Sequence, residues 1–99
     1  MNLNQINNVY FIGIGGIGMS ALARILLERG ASVTGSDAAA SYVTKGLEKA
    51  GAKITIGHNA ENLPPSAVVV YSTAIPEQNP ELSCAKKLGY LPFRNVIIV

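Results

Sequence analysis

Three observations predict an α/β fold of the doubly wound kind, one domain built on a parallel sheet. A short apolar run, Val9-Tyr10-Phe11-Ile12, breaks into four glycines, Gly13, Gly15, Gly16 and Gly18. A helical pattern opens directly after them. Two more strand-like runs, Ala31 to Gly35 and Ala67 to Tyr71, each lead through a polar stretch into another helical pattern. Strands alternating with helices give a parallel sheet with right-handed crossovers, here of about five strands in the order 3-2-1-4-5.

Taken in order, Met1 to Asn8 carries four asparagines and a glutamine and reads as a loose lead-in. Val9 to Ile12 is too short for a helix and suits a strand buried on both faces. From Ile17 to Arg29 the spacing of Gly18, Ala21, Leu22 and Ile25 predicts a helix with those residues on its buried face, and Gly30 is placed to cap it. Ala31 to Gly35 is the second strand, with Ser36 and Asp37 at its carboxyl end. Ser41 to Ala50 is a weaker helix with Val43, Leu47 and Ala50 on one face, weakened by Gly46 and ended by Gly51. Lys53 to Ile56 alternates like an edge strand. Gly57 to Pro65 is a polar loop closed by two prolines, and Ala67 to Tyr71 is a buried strand. The last helix has full punctuation: Asn79 as N-cap, Pro80 first, Glu81 in the first turn, Lys86 and Lys87 in the last, and Gly89 beyond. Its apolar face is Leu82, Ala85 and Leu88. Pro92 leads to a fifth strand near Val96 to Val99.

With 99 residues and 48% hydrophobic content, the chain can fill one core and no second domain. Its net charge of +2 comes from eight basic and six acidic residues that are scattered, which is no nucleic-acid footprint. No apolar run approaches the ~20 residues that span a bilayer, and the N-terminus is not signal-like, so a cytoplasmic protein without a membrane partner is expected. Cys84 is the one cysteine and reads as a small helix residue. His58 is the one histidine, so the two could form only an incomplete metal site. The apolar run at the C-terminus reads as the cut end of an excised domain.

Gly13, Gly15 and Gly18 match G-x-G-x-x-G between a strand and a helix, and Asp37 follows 19 residues beyond Gly18. Gly13 permits the exit from the strand, Gly15 lets backbone N–H groups approach a pyrophosphate, Gly16 widens that approach, and Gly18 lets the helix lie against the sheet. The positive end of the helix then receives the phosphate. The alternative is a turn that only connects two elements. Asp37 likewise reads as a ligand group at the crevice or as a cap before the next helix. His58 is a ligand contact or a solvated loop residue. Ser72 and Thr73, at the exit of the fourth strand, either donate to phosphate and ribose oxygens or close an ordinary turn.

Phe11-Ile12-Gly13-Ile14-Gly15-Gly16-Ile17-Gly18-Met19-Ser20, Val33-Thr34-Gly35-Ser36-Asp37 and Val70-Tyr71-Ser72-Thr73-Ala74-Ile75, with Asn79-Pro80-Glu81 behind, resemble the N-terminal domain of the Mur ligase family. The resemblance covers roughly residues 9 to 92. It implies a Rossmann-like domain, spanning residues 1–99, of a bacterial cytoplasmic enzyme of peptidoglycan synthesis. That enzyme uses ATP and magnesium, held by central and C-terminal domains outside this chain, to activate UDP-N-acetylmuramate for attack by L-alanine. By the resemblance this domain takes the UDP moiety, with no cofactor or catalytic residue of its own. Gly13 opens the turn, Gly15, Gly16, Ile17 and Gly18 offer backbone donors to the diphosphate, Asp37 and His58 lie near the uridine, and Ser72 and Thr73 lie near phosphate and ribose.

Two features depart from the family. No G-x-x-x-x-G-K-[ST] loop for ATP occurs, and Arg94 is followed by Asn95 and Val96 where the family has an Arg-x-Glu element. An NAD(H)-binding module of a dehydrogenase or redox sensor is the competing class, with Asp37 on the adenine ribose. Gly16 and the Ser-Thr-Ala-Ile exit stand against it. A scaffold that has kept the fold without the ligand is the third.

Overall fold

The computed structural model describes residues 5–64, 66–88 and 96–98. The chain runs β1 (Asn8–Ile12), α1 (Ile17–Glu28), β2 (Ser32–Asp37), α2 (Tyr42–Lys49), β3 (Lys53–Ile56), a single 3-10 turn (Ala60–Asn62), β4 (Val68–Tyr71), α3 (Pro80–Lys87) and β5 (Val96–Ile98). The five strands form one sheet in the order β3-β2-β1-β4-β5, as the alternation predicts, and every pair is parallel. Pro65, Gly89, Pro92, Arg94, Val99 and the first four residues of the lead-in lie outside the described residues.

The central strand is buried on both faces, and its alternation divides the core. Val9 and Phe11 join Met19, Ala23, Leu26, Val33 and Leu47 on the side of α1 and α2. Tyr10 and Ile12 join Leu63, Val69, Leu82 and Ala85 on the side of α3. A polar group in β1 must therefore find a partner inside the protein.

Helix ends follow the sequence. Gly30 has φ +87°, its N–H donates to the Leu27 carbonyl, and the Ala31 N–H reaches Leu26, so α1 closes in a Schellman motif. At α2 the Ser41 hydroxyl accepts from the Thr44 N–H while the Thr44 hydroxyl accepts from the Ser41 N–H. Asn79 Oδ1 accepts from the N–H groups of Glu81 and Leu82 at α3.

Several faces differ from the sequence reading. The buried residues of α1 are Met19, Ala23 and Leu26, whereas Gly18, Ala21 and Ile25 are exposed. Nearly every position of this helix is small or apolar, so two phases fit a 3.6 period and the sheet selects one. Gly18 therefore does not bring helix and sheet together. Gly35 makes the close approach, since a Cβ there would lie 2.6 Å from the Phe11 carbonyl oxygen. In α2 Thr44 is buried with Leu47, while Ala50 is the exposed C-cap. Leu88 is exposed as the C-cap of α3, and Glu81 is wholly buried in its place on the inner face. The lead-in is anchored from Ile6, which enters the core, and Asn8 starts β1 with its side-chain amide on the Ser66 carbonyl. β2 runs on through Ser36 and Asp37.

Candidate functional site

The glycine turn, the ends of β2 and β4 and the loop after β3 meet at the carboxyl edge of the sheet. Gly13 has φ +80°, a conformation that side chains resist, and its N–H and that of Ile14 both donate to the Ser36 carbonyl at 2.9 Å. A Cβ on Gly13 would stand 3.0 Å from Ile75 Cδ1, so the exit from β4 packs against this turn. The sequence places Ser72 and Thr73 across the crevice from the glycines; the residue of this exit that touches the turn is Ile75. Ser72 Oγ accepts from the Ala74 N–H at 3.3 Å, which is turn closure, while Thr73 is exposed.

Gly16 is the N-cap of α1 and offers no side-chain cap, and the first turn contains no acid. The first bond along the helix runs from the Ser20 N–H to the Gly16 carbonyl at 2.8 Å, so the amides of Ile17, Gly18 and Met19 precede it. None of the three has an acceptor among the described residues. Such an end favours an anion through both its dipole and its N–H groups. Ile17 stands beside it with 93% of its surface exposed.

The other predicted donors are engaged within the chain. Gly16 N–H donates to the Gly13 carbonyl, and Gly15 N–H donates to Asp37 Oδ2 at 2.8 Å. A Cβ on Gly15 would lie 2.8 Å from that same oxygen and 3.2 Å from Thr44 Cγ2. Gly15 thus gives room to the Asp37 carboxylate, which ties the glycine turn to the end of β2. Asp37→Ala is expected to lower stability by about 1 kcal/mol, and Asp37→Asn, which keeps an acceptor for Gly15, by less. Chemical denaturation measures the difference, and equal losses in the two variants would show that this bond does not hold the turn.

His58 faces inward. Its Nδ1 lies 2.9 Å from Ser36 Oγ and 3.3 Å from Glu81 Oε1, and its side chain is 20% exposed. Ser36 also donates to Glu81 Oε1. On the other oxygen, Glu81 Oε2 accepts from Tyr10 Oη at 2.8 Å, Asn62 Nδ2 at 2.9 Å and the Asn59 N–H at 3.3 Å. The carboxylate also sits in the first turn of α3, where the helix dipole favours it. Burial pushes the Tyr10 phenol well above the usual range, and the Glu81 carboxylate adds to the rise.

Ser36, Glu81, Tyr10 and Asn62 are not found by reading motifs. One signal was present: a tyrosine in a strand buried on both faces needs a partner for its hydroxyl. Ser36 joins the two halves of the site, with its carbonyl holding the glycine turn and its hydroxyl holding Glu81 and His58.

A family model described as the Mur ligase family, catalytic domain, matches residues 8–96. The chain belongs to the Mur ligase family. The UDP-N-acetylmuramate–L-alanine ligase of Campylobacter jejuni is 52% identical over 85 residues, which are 86% of this chain and 20% of that protein. The enzyme of the same description from Acetivibrio thermocellus is 52% identical over 86 residues, 87% of this chain and 18% of its own length. Among solved structures, UDP-N-acetylmuramate-alanine ligase MurC of Thermotoga maritima matches with a TM-score of 0.80 at 33% identity, covering 92% of this chain and 20% of that one. The murein peptide ligase Mpl of Psychrobacter arcticus matches with a TM-score of 0.79 at 28% identity, covering 91% and 18%. The chain spans about one fifth of the length of the curated relatives it matches.

Proposed function

We propose that residues 1–99 form the N-terminal, UDP-N-acetylmuramate-binding domain of a cytoplasmic bacterial ligase that joins L-alanine to that substrate at the expense of ATP. The observation that carries this reading is the open end of α1: amides of Ile17 and Gly18 without acceptors among the described residues, at the carboxyl edge of the sheet where doubly wound folds bind ligands. They are placed to take the diphosphate. Gly13, Gly15 and Gly16 form the turn that leaves them open, Asp37 and His58 flank the nucleoside end, and Ser72 and Thr73 border the phosphates and ribose. The relatives and neighbours reported above are ligases, and none of them is a dehydrogenase.

ATP and magnesium do not fit the residues present. The turn before α1 has no lysine, and among the described residues no three His, Cys, Asp or Glu side chains gather to hold a metal ion. Activation of the carboxylate and attack by L-alanine belong to further domains of the enzyme. This chain binds and orients the UDP moiety. Among the described residues no helix is long and apolar enough to cross a membrane.

Titration of the 15N-labelled chain tests the reading. UDP-N-acetylmuramate should give saturable shifts at Ile17, Gly18, Asp37, the loop around His58 and Ser72-Thr73. UDP should reproduce most of them more weakly, and NADH should give none. Saturable shifts with NADH and none with UDP-N-acetylmuramate would reverse the assignment.

A further inference from the structure

The cluster around Glu81 contains more chemistry than the packing of α3 requires. Three donors converge on Oε2: the Tyr10 hydroxyl, the Asn62 amide and the Asn59 N–H. Oε1 receives the Ser36 hydroxyl and lies 3.3 Å from His58 Nδ1. Ser36 has one proton, and it goes to the carboxylate. Its oxygen is then an acceptor for His58 Nδ1, 2.9 Å away, so that nitrogen must carry the hydrogen. A bare Nδ1 would compete with Oε1 for a single proton and leave two acceptors facing each other beside a wholly buried carboxylate.

The other ring nitrogen is free. Nε2 has no partner among the described residues, and every buried side-chain nitrogen or oxygen among them has one, so Nε2 is open to solvent.

We propose that Glu81 is a positioning residue, which acts through Ser36 to hold His58 as the Nδ1–H tautomer and so presents Nε2 as an acceptor to an N–H or O–H group of the ligand. The ligand half rests on the UDP reading above, whereas the tautomer half does not. An acceptor at this point suits the nucleoside end, with its imide N–H and ribose hydroxyls, and disfavours a phosphate oxygen.

Glu81→Gln separates this role from mere packing. The three donors at Oε2 hold the glutamine oxygen, so its NH2 turns to Ser36 and donates. The Ser36 hydroxyl then donates to His58 Nδ1, and the ring becomes the Nε2–H tautomer. The 15N spectrum of the imidazole in the wild-type chain should show a protonated Nδ1 and a bare Nε2, and the two resonance types should exchange places in Glu81→Gln. UDP affinity should fall roughly tenfold in the variant, with the domain still folded. Comparison with CDP, which lacks the imide N–H, and with 2′-deoxy-UDP identifies the donor, because the analogue missing it should not suffer the loss.

A wild-type ring that is Nε2–H overturns the proposal and needs no variant. A flipped ring with unchanged UDP affinity overturns its ligand half. Protonated Nδ1 in a chain that binds no UDP refutes the UDP reading and leaves the tautomer assignment standing.

Discussion

Glu81→Leu is expected to destabilise the domain by about 3 to 5 kcal/mol, the cost of taking one partner from a buried charged network. Leucine is close in volume, so packing is largely kept, and the loss comes from donors left without an acceptor. Those donors are the Tyr10 and Ser36 hydroxyls, the Asn62 amide and the Asn59 N–H, which come from β1, β2 and the loop before β4. Tyr10→Phe removes one donor and leaves the carboxylate with the others, so it should cost only about 1 kcal/mol. In the double variant the effects should not add, because the phenylalanine no longer needs the carboxylate. Denaturant midpoints of the four proteins decide it. A Glu81→Leu variant as stable as the wild type would mean that the network contributes nothing to folding.

Gly35→Val should cost about 3 kcal/mol or more, the upper range for overpacking a filled core. A Cβ at Gly35 would meet the Phe11 carbonyl oxygen at 2.6 Å, Phe11 Cβ at 3.1 Å and Ile14 Cβ at 3.2 Å. Phe11 is the direct partner of Gly35 in the β1–β2 ladder, so relief requires the two central strands to part. Gly46→Ala makes the contrast. Its Cβ would meet only Arg24 Nη2, the tip of a flexible exposed side chain, and the helix interior gains up to about 1 kcal/mol from alanine. Thermal unfolding should move in opposite directions for the two variants. A Gly35→Val chain with an unchanged midpoint would show that the approach of β2 to β1 is looser than its geometry.

Much of the site was legible because its signals are local. Four glycines between a strand and a helix specify a turn with an open helix end, whatever the rest of the chain does. An asparagine, a proline and an acid in order begin α3 for the same kind of reason, since each satisfies or avoids a backbone group within its own first turn. The strand order followed from alternation and the handedness of crossovers. The sequence by itself therefore determined the topology and the helix ends.

The tertiary structure decided which face and which partner. In α1 two sets of small and apolar residues share the same period, and only the sheet chooses Met19, Ala23 and Leu26 over Gly18, Ala21 and Ile25. Gly15 looked like an opening for a ligand and is an opening for Asp37, 22 residues away. Glu81 reads as a first-turn acid that complements a helix dipole. It lies in the core because a hydroxyl 71 residues earlier, another on β2 and an amide on a loop reach it only once the sheet has formed. Local chemistry can show that a carboxylate suits the start of a helix. Whether water or protein supplies its donors depends on contacts far apart in sequence, and the low dielectric of the folded interior gives those contacts their strength.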